Sequence, residues 1–534
     1  MRKSKKQSIT DLAKAHELHK AGRLEDAKNA YLAILAQHPP SAEVLHALAI
    51  VYTRQQQFSE AIDHLKSAVE LEPTNPTLQL HLANVLKLQG LFNQAETTLL
   101  HLIETIPNCI PAYNNLGTVL YSKGQLDKAI EYYQQAIHKR PDYIDAYYNL
   151  GLALYKQNKI SDAIQTYQTL LTKAKDHIAA RFQLSCWLLE QDQLTESIEN
   201  FLFVEKIQPH HFETQTNLAT AYLKAGNLPE AKSHYIKALE LRPDDIQILF
   251  NLGVILMQLG EVDQAIQYYQ RADKLNHDDF SIHNNLGIAF LAKQHVGFAL
   301  HHFQEALRLQ PQNTAIQYTI EALSKNQLLL AAPPDYITTL FDAYADHYEP
   351  HLLQALDYQV PALLLEIFKS TRPSSLFDIA DLGCGTGLCG VAFKPLAKTM
   401  VGVDLSEKML NIAKQKNIYN DLVRNDLTVF LSDKHQAYDL LLAGDTLVYM
   451  GDLEAIFKAA NAALRPQGYF LFNTEISDTA NYTMNQSGRF AHQQSYLEKL
   501  AAQHHFEIVL YKNVITRLQN NEPVYGHLYM LRKV

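Results

Sequence analysis

Asp381-Leu382-Gly383-Cys384-Gly385-Thr386-Gly387 sets a carboxylate directly before three alternating glycines, at the end of an apolar run over 376–380. Glycines in that rhythm let backbone come close enough to touch a ligand, and the amides opening the next helix add donors. A second apolar run, 399–403, leads into Asp404. At the carboxyl end of the neighbouring strand, that carboxylate is placed to accept hydrogen bonds from both hydroxyls of a ribose. Asp426 follows Leu422-Val423-Arg424-Asn425, and Gly444-Asp445 closes the run 438–443, with Tyr449 four residues on. Arg489 and His492 lie in the stretch 487–496, where an α/β sheet of this kind carries its substrate loop. Together these residues suit the grip of a nucleoside-bearing cofactor. Asp445, Tyr449, Arg489 and His492 are the candidates for touching a substrate beside it.

Positioning such residues takes a sheet. From Tyr336 onward, helical segments alternate with short apolar runs at 376–380, 399–403, 438–443 and 469–472. Strands separated by helices predict βαβ units and a mostly parallel, Rossmann-like α/β domain over residues 333–534. Two late runs, 507–511 and 527–531, have no long helix between them and are expected to pair antiparallel at an edge. Just ahead of the domain, Ala331-Ala332-Pro333-Pro334-Asp335 breaks any helix and reads as a linker.

The residues before 311 carry a different signal. Small residues recur at Ala27, Ala61, Ala95, Ala129, Ala163, Ser197, Ala231, Ala265 and Ala299, every interval being 34. Four positions after each comes Tyr31, Leu65, Leu99, Tyr133, Tyr167, Phe201, Tyr235, Tyr269 or Phe303. Twelve before each comes Ala15, Ala49, Ala83, Gly117, Gly151, Ser185, Ala219, Gly253 or Gly287. Two antiparallel helices per unit explain the pattern: small residues allow close approach, the aromatic fills the groove, and a proline such as Pro73, Pro107 or Pro141 ends the second helix. A 34-residue period of this kind is the tetratricopeptide pattern, here in nine copies over residues 8–313, stacked as an all-α solenoid.

Asn115, Asn149, Asn217, Asn251 and Asn285 recur at one position of the first helix. Asparagine inside a helix costs up to about 0.7 kcal/mol relative to alanine, so the recurrence wants a reason. Two remain open: a hydrogen bond between repeats that sets the pitch, or a ladder of amides gripping the backbone of an extended peptide. Tyr113, Tyr147 and Tyr148 would add contact area for such a peptide. Beyond Pro311, Ile316, Ile320 and Leu323 followed by three leucines at 328–330 predict a helix that caps the array with a polar outer side, so that cap and linker cover 314–332.

The 534 residues carry 47 basic and 56 acidic side chains, a formal net charge of −9, with 47% hydrophobic and 19% charged residues. That is too apolar for a disordered chain and too acidic for a dedicated nucleic-acid binder. No run approaches the ~18–20 apolar residues of a membrane helix. The basic start, Met1 to Lys6, lacks a following apolar stretch and reads as a frayed tail rather than a secretory signal. Four cysteines without a disulfide-like rhythm fit a reduced, cytoplasmic protein. Cys384 and Cys389 are wrongly spaced for zinc, and the 24 histidines are scattered without a convergent third ligand, so no metal is expected and the histidines read as solvated helix faces.

Two family resemblances follow from these motifs. "AYNNLGTVLYSKGQLDKAIEYYQQAI" and "AYYNLGLALY" resemble repeats of the enzyme that attaches single N-acetylglucosamine units to proteins, in which the asparagine ladder holds peptide substrates; that resemblance ends with the repeats. The succession from Asp381 to Asp445 resembles class I S-adenosylmethionine-dependent methyltransferases, and "DLGCGTGLCG", "YDLLLAGDTLVYMGDL", "SGRFAHQQSYL" and "EPVYGHLYML" look like bacterial members that carry tetratricopeptide repeats. The resemblance implies that Asp381 faces the methionine moiety, that Gly383, Gly385 and Gly387 carry the loop over it, that Asp404 binds the ribose and that Asp426 meets the adenine amino group. "FDAYADHYEPH" resembles an aromatic segment of small-molecule methyltransferases and implies that Tyr348 covers the cofactor.

A dinucleotide fingerprint competes, because Gly385-Thr386-Gly387-Leu388-Cys389-Gly390 is a literal GxGxxG. Asp381 just before the loop would repel a pyrophosphate but favour a sulfonium and an ammonium, and no second domain is left for a hydride acceptor. The expectation is therefore an S-adenosylmethionine-dependent methyltransferase whose array recruits a protein substrate or partner. The alternative is a docking scaffold whose catalytic domain acts on a small metabolite or is inactive.

Overall fold

The computed structural model describes residues 2–324, 330–345, 348–350, 352–353, 356–370, 375–485, 487–519 and 522–534. The chain divides into two compact units, Met1–Ile248 and Leu249–Val534. The second unit thus holds the last two repeats together with the sheet domain.

The first unit is built of paired helices, from Arg2–Lys20 with Leu24–Gln37 to Phe212–Lys224 with Leu228–Leu241. The expected frayed tail is instead the start of that first helix, which runs unbroken from Arg2. Close approach is visible where the small residue is glycine. A Cβ added at Gly117 would stand 2.5 Å from Tyr133 Cε1, and one at Gly151 would stand 2.3 Å from Tyr167 Cε1. Between the helices of each pair, one position adopts positive φ throughout both units: glycine at 22, 90, 124, 226 and 260, but Gln56, Asn158, Asp192 and Gln294 elsewhere. The turn therefore dictates the conformation and glycine only makes it cheap.

The asparagine ladder is half-buried at every rung. Asn149 Nδ2 donates to Asn114 Oδ1 of the preceding repeat at 2.9 Å, Asn217 reaches Cys186 Sγ at 3.5 Å, and Tyr269 donates to Asn285 Oδ1 at 3.4 Å. Hydrogen bonds between repeats are thus part of what these amides do. Tyr113 offers little contact area: it is 5% exposed and its hydroxyl donates to the Pro107 carbonyl.

In the second unit, the pairs Ile246–Gln258 with Val262–Leu275 and Phe280–Ala292 with Val296–Leu309 precede the helix Thr314–Ser324. Its exposed positions, Thr314, Gln317 and Ser324, are polar, while its other side is packed. Tyr318 is fully buried, its hydroxyl donates to the Gly488 carbonyl at 2.7 Å, and it packs with Ala322 against Met484 and Phe490. Leu328 and Leu329, expected in the cap, lie outside the described residues.

The sheet comprises β1 (Phe377–Leu382), β2 (Ala397–Asp404), β3 (Asp421–Arg424), β4 (Tyr438–Ala443), β5 (Leu464–Ile476), β6 (Tyr482–Met484), β7 (Phe490–His492), β8 (Phe506–Gln519) and β9 (Glu522–Lys533). Parallel pairing gives the order β3-β2-β1-β4-β5, and β9 then β8 extend it antiparallel from β5. Both faces are apolar, as a sheet covered by helices requires. Leu382, Val403, Leu441 and Phe470 pack on one side with Phe457, and Ile379, Met400, Leu442 and Leu471 on the other with Leu364 and Phe368. The end of β5 also pairs with β7, which forms a short hairpin with β6.

The stretch expected as a linker is structured instead. Gly451 N and Asp452 N donate to Leu330 O at 2.7 and 2.9 Å, Ala331 bridges to Met450, and Ala332 N donates to Tyr449 O at 2.8 Å. The helix Pro334–Tyr344 follows, and its Asp342 accepts from the Ser406 hydroxyl just past β2. Residues 330–344 are therefore a strap fastened across the ends of β2 and β4.

Candidate active site

Beneath that strap, β1, β2 and β4 end side by side. Gly383 N and Cys384 N donate to Val403 O at 2.8 and 3.0 Å, which folds the glycine loop back over β2. Positive φ values of +67° at Gly383 and +52° at Gly385 make that turn. A Cβ at Gly383 would lie 2.5 Å from the Thr446 side chain, whereas at Gly385 the nearest atom would be Tyr348 Cε1 at 3.9 Å. The loop is thus tight against β4 at one glycine and open at the next.

Asp404 is held by this loop. Its Oδ2 accepts from Gly385 N at 2.8 Å and its Oδ1 from Ser406 N at 2.9 Å. Burial nevertheless raises its carboxyl above the ordinary value, against the pull of those amides. Asp426 caps the short helix after β3, with Oδ1 accepting from Thr428 N and Val429 N at 2.9 and 3.0 Å. Asp445 adopts φ +58°, its amide donates to Asn473 Oδ1, and its carboxylate meets Arg489 at 2.6 Å. Burial works to raise that carboxyl, but Arg489 and Arg517 outweigh it and hold it below the usual range.

One cavity collects seven of the residues singled out from the sequence: Tyr348, Gly383, Gly385, Asp404, Asp426, Asp445 and Tyr449. Leu405 and Leu427 give it apolar flanks beside the two outer carboxylates, and Ala331, Ala332, Pro334, Ile337 and Phe341 of the strap close it. Among the described residues, the wall carries three carboxylates and neither lysine nor arginine. Such a wall repels a pyrophosphate and suits a cation bearing a nucleoside. Tyr348 and Tyr449 stay neutral phenols, since burial raises both.

Four expected residues stand elsewhere. Asp381 is buried and accepts from the Tyr419 hydroxyl at 2.6 Å; it turns toward Tyr419, not toward the cavity, and burial pushes its carboxyl up to about 6. Gly387 opens the helix Leu388–Phe393 against the same Tyr419. His492 is fully buried, with Nε2 donating to the Met450 and Gly451 carbonyls at 2.9 and 3.1 Å. Burial lowers it to about 4, so this imidazole is a neutral tie behind the wall, not a group reaching a substrate. Arg489 lies one layer behind, donating to Asp445, to Glu475 at 2.7 Å and to the Tyr449 hydroxyl at 3.3 Å. Arg517 completes that buried set at 2.8 Å from Glu475.

Sequence reasoning misses the strap, Thr446, Glu475 and Arg517. The i, i+4 pair Ile337 and Phe341 is a signal that could have shown the strap helix to have a buried face. Nothing local marks Glu475 or Arg517, which meet across strands.

A class is defined at this point: paired-helix repeats followed by a doubly wound α/β domain with an acidic, glycine-lipped cleft at the carboxyl ends of its strands. Residues 379–468 match the family profile of a methyltransferase domain. Residues 12–76 and 216–280, 52–118, 117–158 and 145–177 match tetratricopeptide repeat profiles. The chain is a tetratricopeptide-repeat protein carrying a class I methyltransferase domain.

Among curated relatives, it is 31% identical over 130 residues to the biotin biosynthesis bifunctional protein BioHC of Saccharophagus degradans, covering 22% of this chain and 23% of that one. It is 26% identical over 131 residues to a ubiquinone biosynthesis O-methyltransferase of Hydrogenovibrio crunogenus, covering 24% and 54%. It is 35% identical over 79 residues to a probable biofilm formation methyltransferase WspC of Pseudomonas putida, covering 15% and 19%. The chain thus spans from a fifth to about half the length of these relatives. A solved SAM-dependent methyltransferase of Methanosarcina mazei is 14% identical with a TM-score of 0.28, covering 31% of this chain and 97% of that one. No helix among the described residues is long and apolar enough to cross a membrane.

Proposed function

We propose that the chain is an S-adenosylmethionine-dependent methyltransferase whose repeats recruit a protein as substrate or partner. The observation that carries the cofactor is the cleft wall, with Asp404 and Asp426 as acceptors for ribose and adenine, and open backbone at Gly385. When bound, S-adenosylmethionine supplies an electrophilic methyl group on a sulfonium. Asp404, preset by Gly385 N and Ser406 N, orients the ribose. Asp445 places negative charge in the cleft and is kept ionised by Arg489 and Arg517. Tyr348, Phe341 and the strap exclude water over the same space. Positioning of this kind supplies roughly 7–11 kcal/mol of barrier lowering, so no acid–base dyad is required.

For the repeats, the half-buried amides Asn115, Asn149, Asn217, Asn251 and Asn285 at one helix position support a peptide-binding groove, in addition to their bonds between repeats. A second reading is favoured by the aromatic enclosure at Tyr348, Phe341 and Tyr449, and by relatives named for biotin and ubiquinone biosynthesis: the domain acts on a small metabolite and the repeats are a scaffold.

Calorimetry with S-adenosylhomocysteine on the full chain tests the cofactor. Asp404→Ala removes a buried charged acceptor worth on the order of 2–3 kcal/mol, so affinity is expected to fall more than about tenfold. Equal affinity in wild type and variant would remove the assignment. Labelling of cell extract with tritiated S-adenosylmethionine then separates the readings, with label in protein under the first and in small molecules under the second.

A further inference from the structure

The histidines of the last two repeats are not the solvated faces their scatter suggests. Asp273 lies in the last turn of the helix Val262–Leu275 and His277 in the turn beyond it, at the repeat position held by Pro243 and Pro311 on either side. His283 lies in the next helix and is fully buried, and His302 lies in the helix after that. Asp273 Oδ1 is 2.9 Å from His277 Nδ1 and 3.5 Å from His283 Nε2, and all three atoms fall within 4.8 Å of one another. On the far side of its ring, His283 Nδ1 is 3.1 Å from His302 Nδ1.

A purely structural role explains part of this arrangement. In other repeats the residue at the position of His283 donates to the carbonyl six residues back, as Gln79 does to Pro73, Tyr113 to Pro107, Tyr147 to Pro141 and Gln215 to Pro209. His283 Nε2 does the same to His277 O at 2.8 Å. That habit extends to the carboxylate, since Gln215 Nε2 also donates to Glu205 Oε1 at 3.0 Å. It does not explain why an imidazole, His277, stands where neighbouring repeats carry proline and meets the same carboxylate. Two repeats earlier, Glu205 holds the position of Asp273 and is met by Lys237 at 2.9 Å, with one imidazole, His234, at 3.7 Å. Asp273 has two imidazoles closer than that, at 2.9 and 3.5 Å.

We propose that Asp273, His277 and His283 bind a divalent transition ion, zinc by the character of the donors. One carboxylate and two imidazoles are a standard zinc set, and bonds near 2.0–2.2 Å place tetrahedral donors roughly 3.4 Å apart. The two separations to Asp273 bracket that spacing. His277 is exposed, so the fourth position faces water. Binding moves the His277 proton from Nδ1 to Nε2 and the His283 proton from Nε2 to Nδ1, where it donates to His302 Nδ1 as the His302 proton shifts to Nε2. The His277 carbonyl gives up its hydrogen bond from His283, and no net proton is released. His302 is then the partner that orients the ligand ring. The ion joins the end of one repeat to the first helix of the next, and through His302 to its second helix, independently of any methyl transfer.

The test uses the full, tag-free chain stripped with chelator and titrated with Zn2+ by calorimetry, with Co2+ absorption as the signature of geometry. One ion per chain at roughly micromolar affinity is expected. His277→Ala, at an exposed position, lowers that affinity at least tenfold, and His302→Ala lowers it by roughly 10–100-fold, as loss of an orienting partner does. Asp273→Asn loses the tetrahedral Co2+ bands, whereas His46→Ala, in the pair His46–His81 of the first unit, leaves the titration unchanged. Zinc binding no tighter than about millimolar, or equal affinity in His277→Ala and wild type, overturns the site.

Discussion

Asp381 shows how a motif residue can be legible in identity and misread in direction. The sequence places it at the lip of the glycine loop, but Tyr419, 38 residues away, claims its carboxylate. No local pattern marks that contact, since it forms only when the chain after β2 packs against β1. Asp404 was readable because its partners, Gly385 and Ser406, belong to the loop and strand end that define its own motif. Arg489 and His492 were readable as members of an unusual string, yet their role depends on Asp445, Glu475 and the Met450 carbonyl, which are distant in sequence. The Asp381 contact also has a thermodynamic signature. Its folded value of about 6 lies above the usual ~3.9 of the unfolded chain, so the native state binds the extra proton between those values and stability falls as pH rises through that window. The shift of about two units corresponds to roughly 3 kcal/mol by pH 7. Asp381→Asn keeps an acceptor for the Tyr419 hydroxyl and removes the charge. Denaturant unfolding of both chains should therefore show equal stability near pH 4 and a variant ahead by up to that amount at pH 7. A gap that stays constant with pH would contradict a carboxyl whose burial outweighs its hydrogen bonds from Tyr419 and the Gly390 amide.

At the scale of elements, the repeat helices were legible because each obeys one rule nine times. The parallel strands were legible as apolar runs because both of their faces are covered. β3 escaped, as its residues are half-exposed or exposed at the sheet edge and form no apolar run. The strap escaped because Ala-Ala-Pro-Pro is the composition of a connector, and the order of residues 330–332 comes from backbone hydrogen bonds that carry no side-chain signal. Those bonds lead to a prediction. A fragment of residues 333–534 removes Leu330, Ala331 and Ala332, leaves Gly451 N, Asp452 N and Tyr449 O without their partners, and strips Tyr318 from the β6–β7 hairpin. An unmade hydrogen bond at a buried group such as Gly451 N costs about 1–3 kcal/mol, so this fragment should bind S-adenosylhomocysteine more weakly than one that begins at residue 246, as calorimetry would read. The repeats offer a second test, because four of them match a glycine to an aromatic while Ala49 faces Leu65 and Ala83 faces Leu99. Gly117→Ala drives a methyl group to 2.5 Å from Tyr133 Cε1, and overpacking of that kind costs roughly 1–3 kcal/mol. Adding Tyr133→Leu recreates the pairing of the earlier repeats. The double variant should then lose less stability than the sum of the two single changes, a coupling that denaturant titration of all four chains measures.

At the scale of the whole molecule, nine repeats share a chain with a methyltransferase domain. The compact units do not divide where the sequence motifs change: Leu249–Val534 keeps two repeats with the sheet domain, and the rest of the array forms the other unit. A fragment of residues 246–534 therefore retains the strap, the Tyr318 contact and the Asp273 cluster while losing the rungs Asn115, Asn149 and Asn217. If the array delivers a protein, tethering raises the local substrate concentration to about millimolar, whereas a substrate free in extract at roughly 10 μM gains nothing from the lost repeats. The expected loss on that protein is then up to about a hundredfold, with binding of S-adenosylhomocysteine and turnover of any untethered acceptor unchanged. Asn115→Ala with Asn217→Ala in the full chain should reproduce part of that loss, since both rungs stay half-buried in helices that alanine favours. The measurement is tritium transferred to extracted protein by the full chain, the double variant and the fragment at matched cofactor occupancy. Equal labelling by all three would assign the repeats a scaffold role and leave the domain to a small acceptor. Selective loss in the fragment and the double variant would make the amide ladder the means by which the protein substrate reaches the cleft.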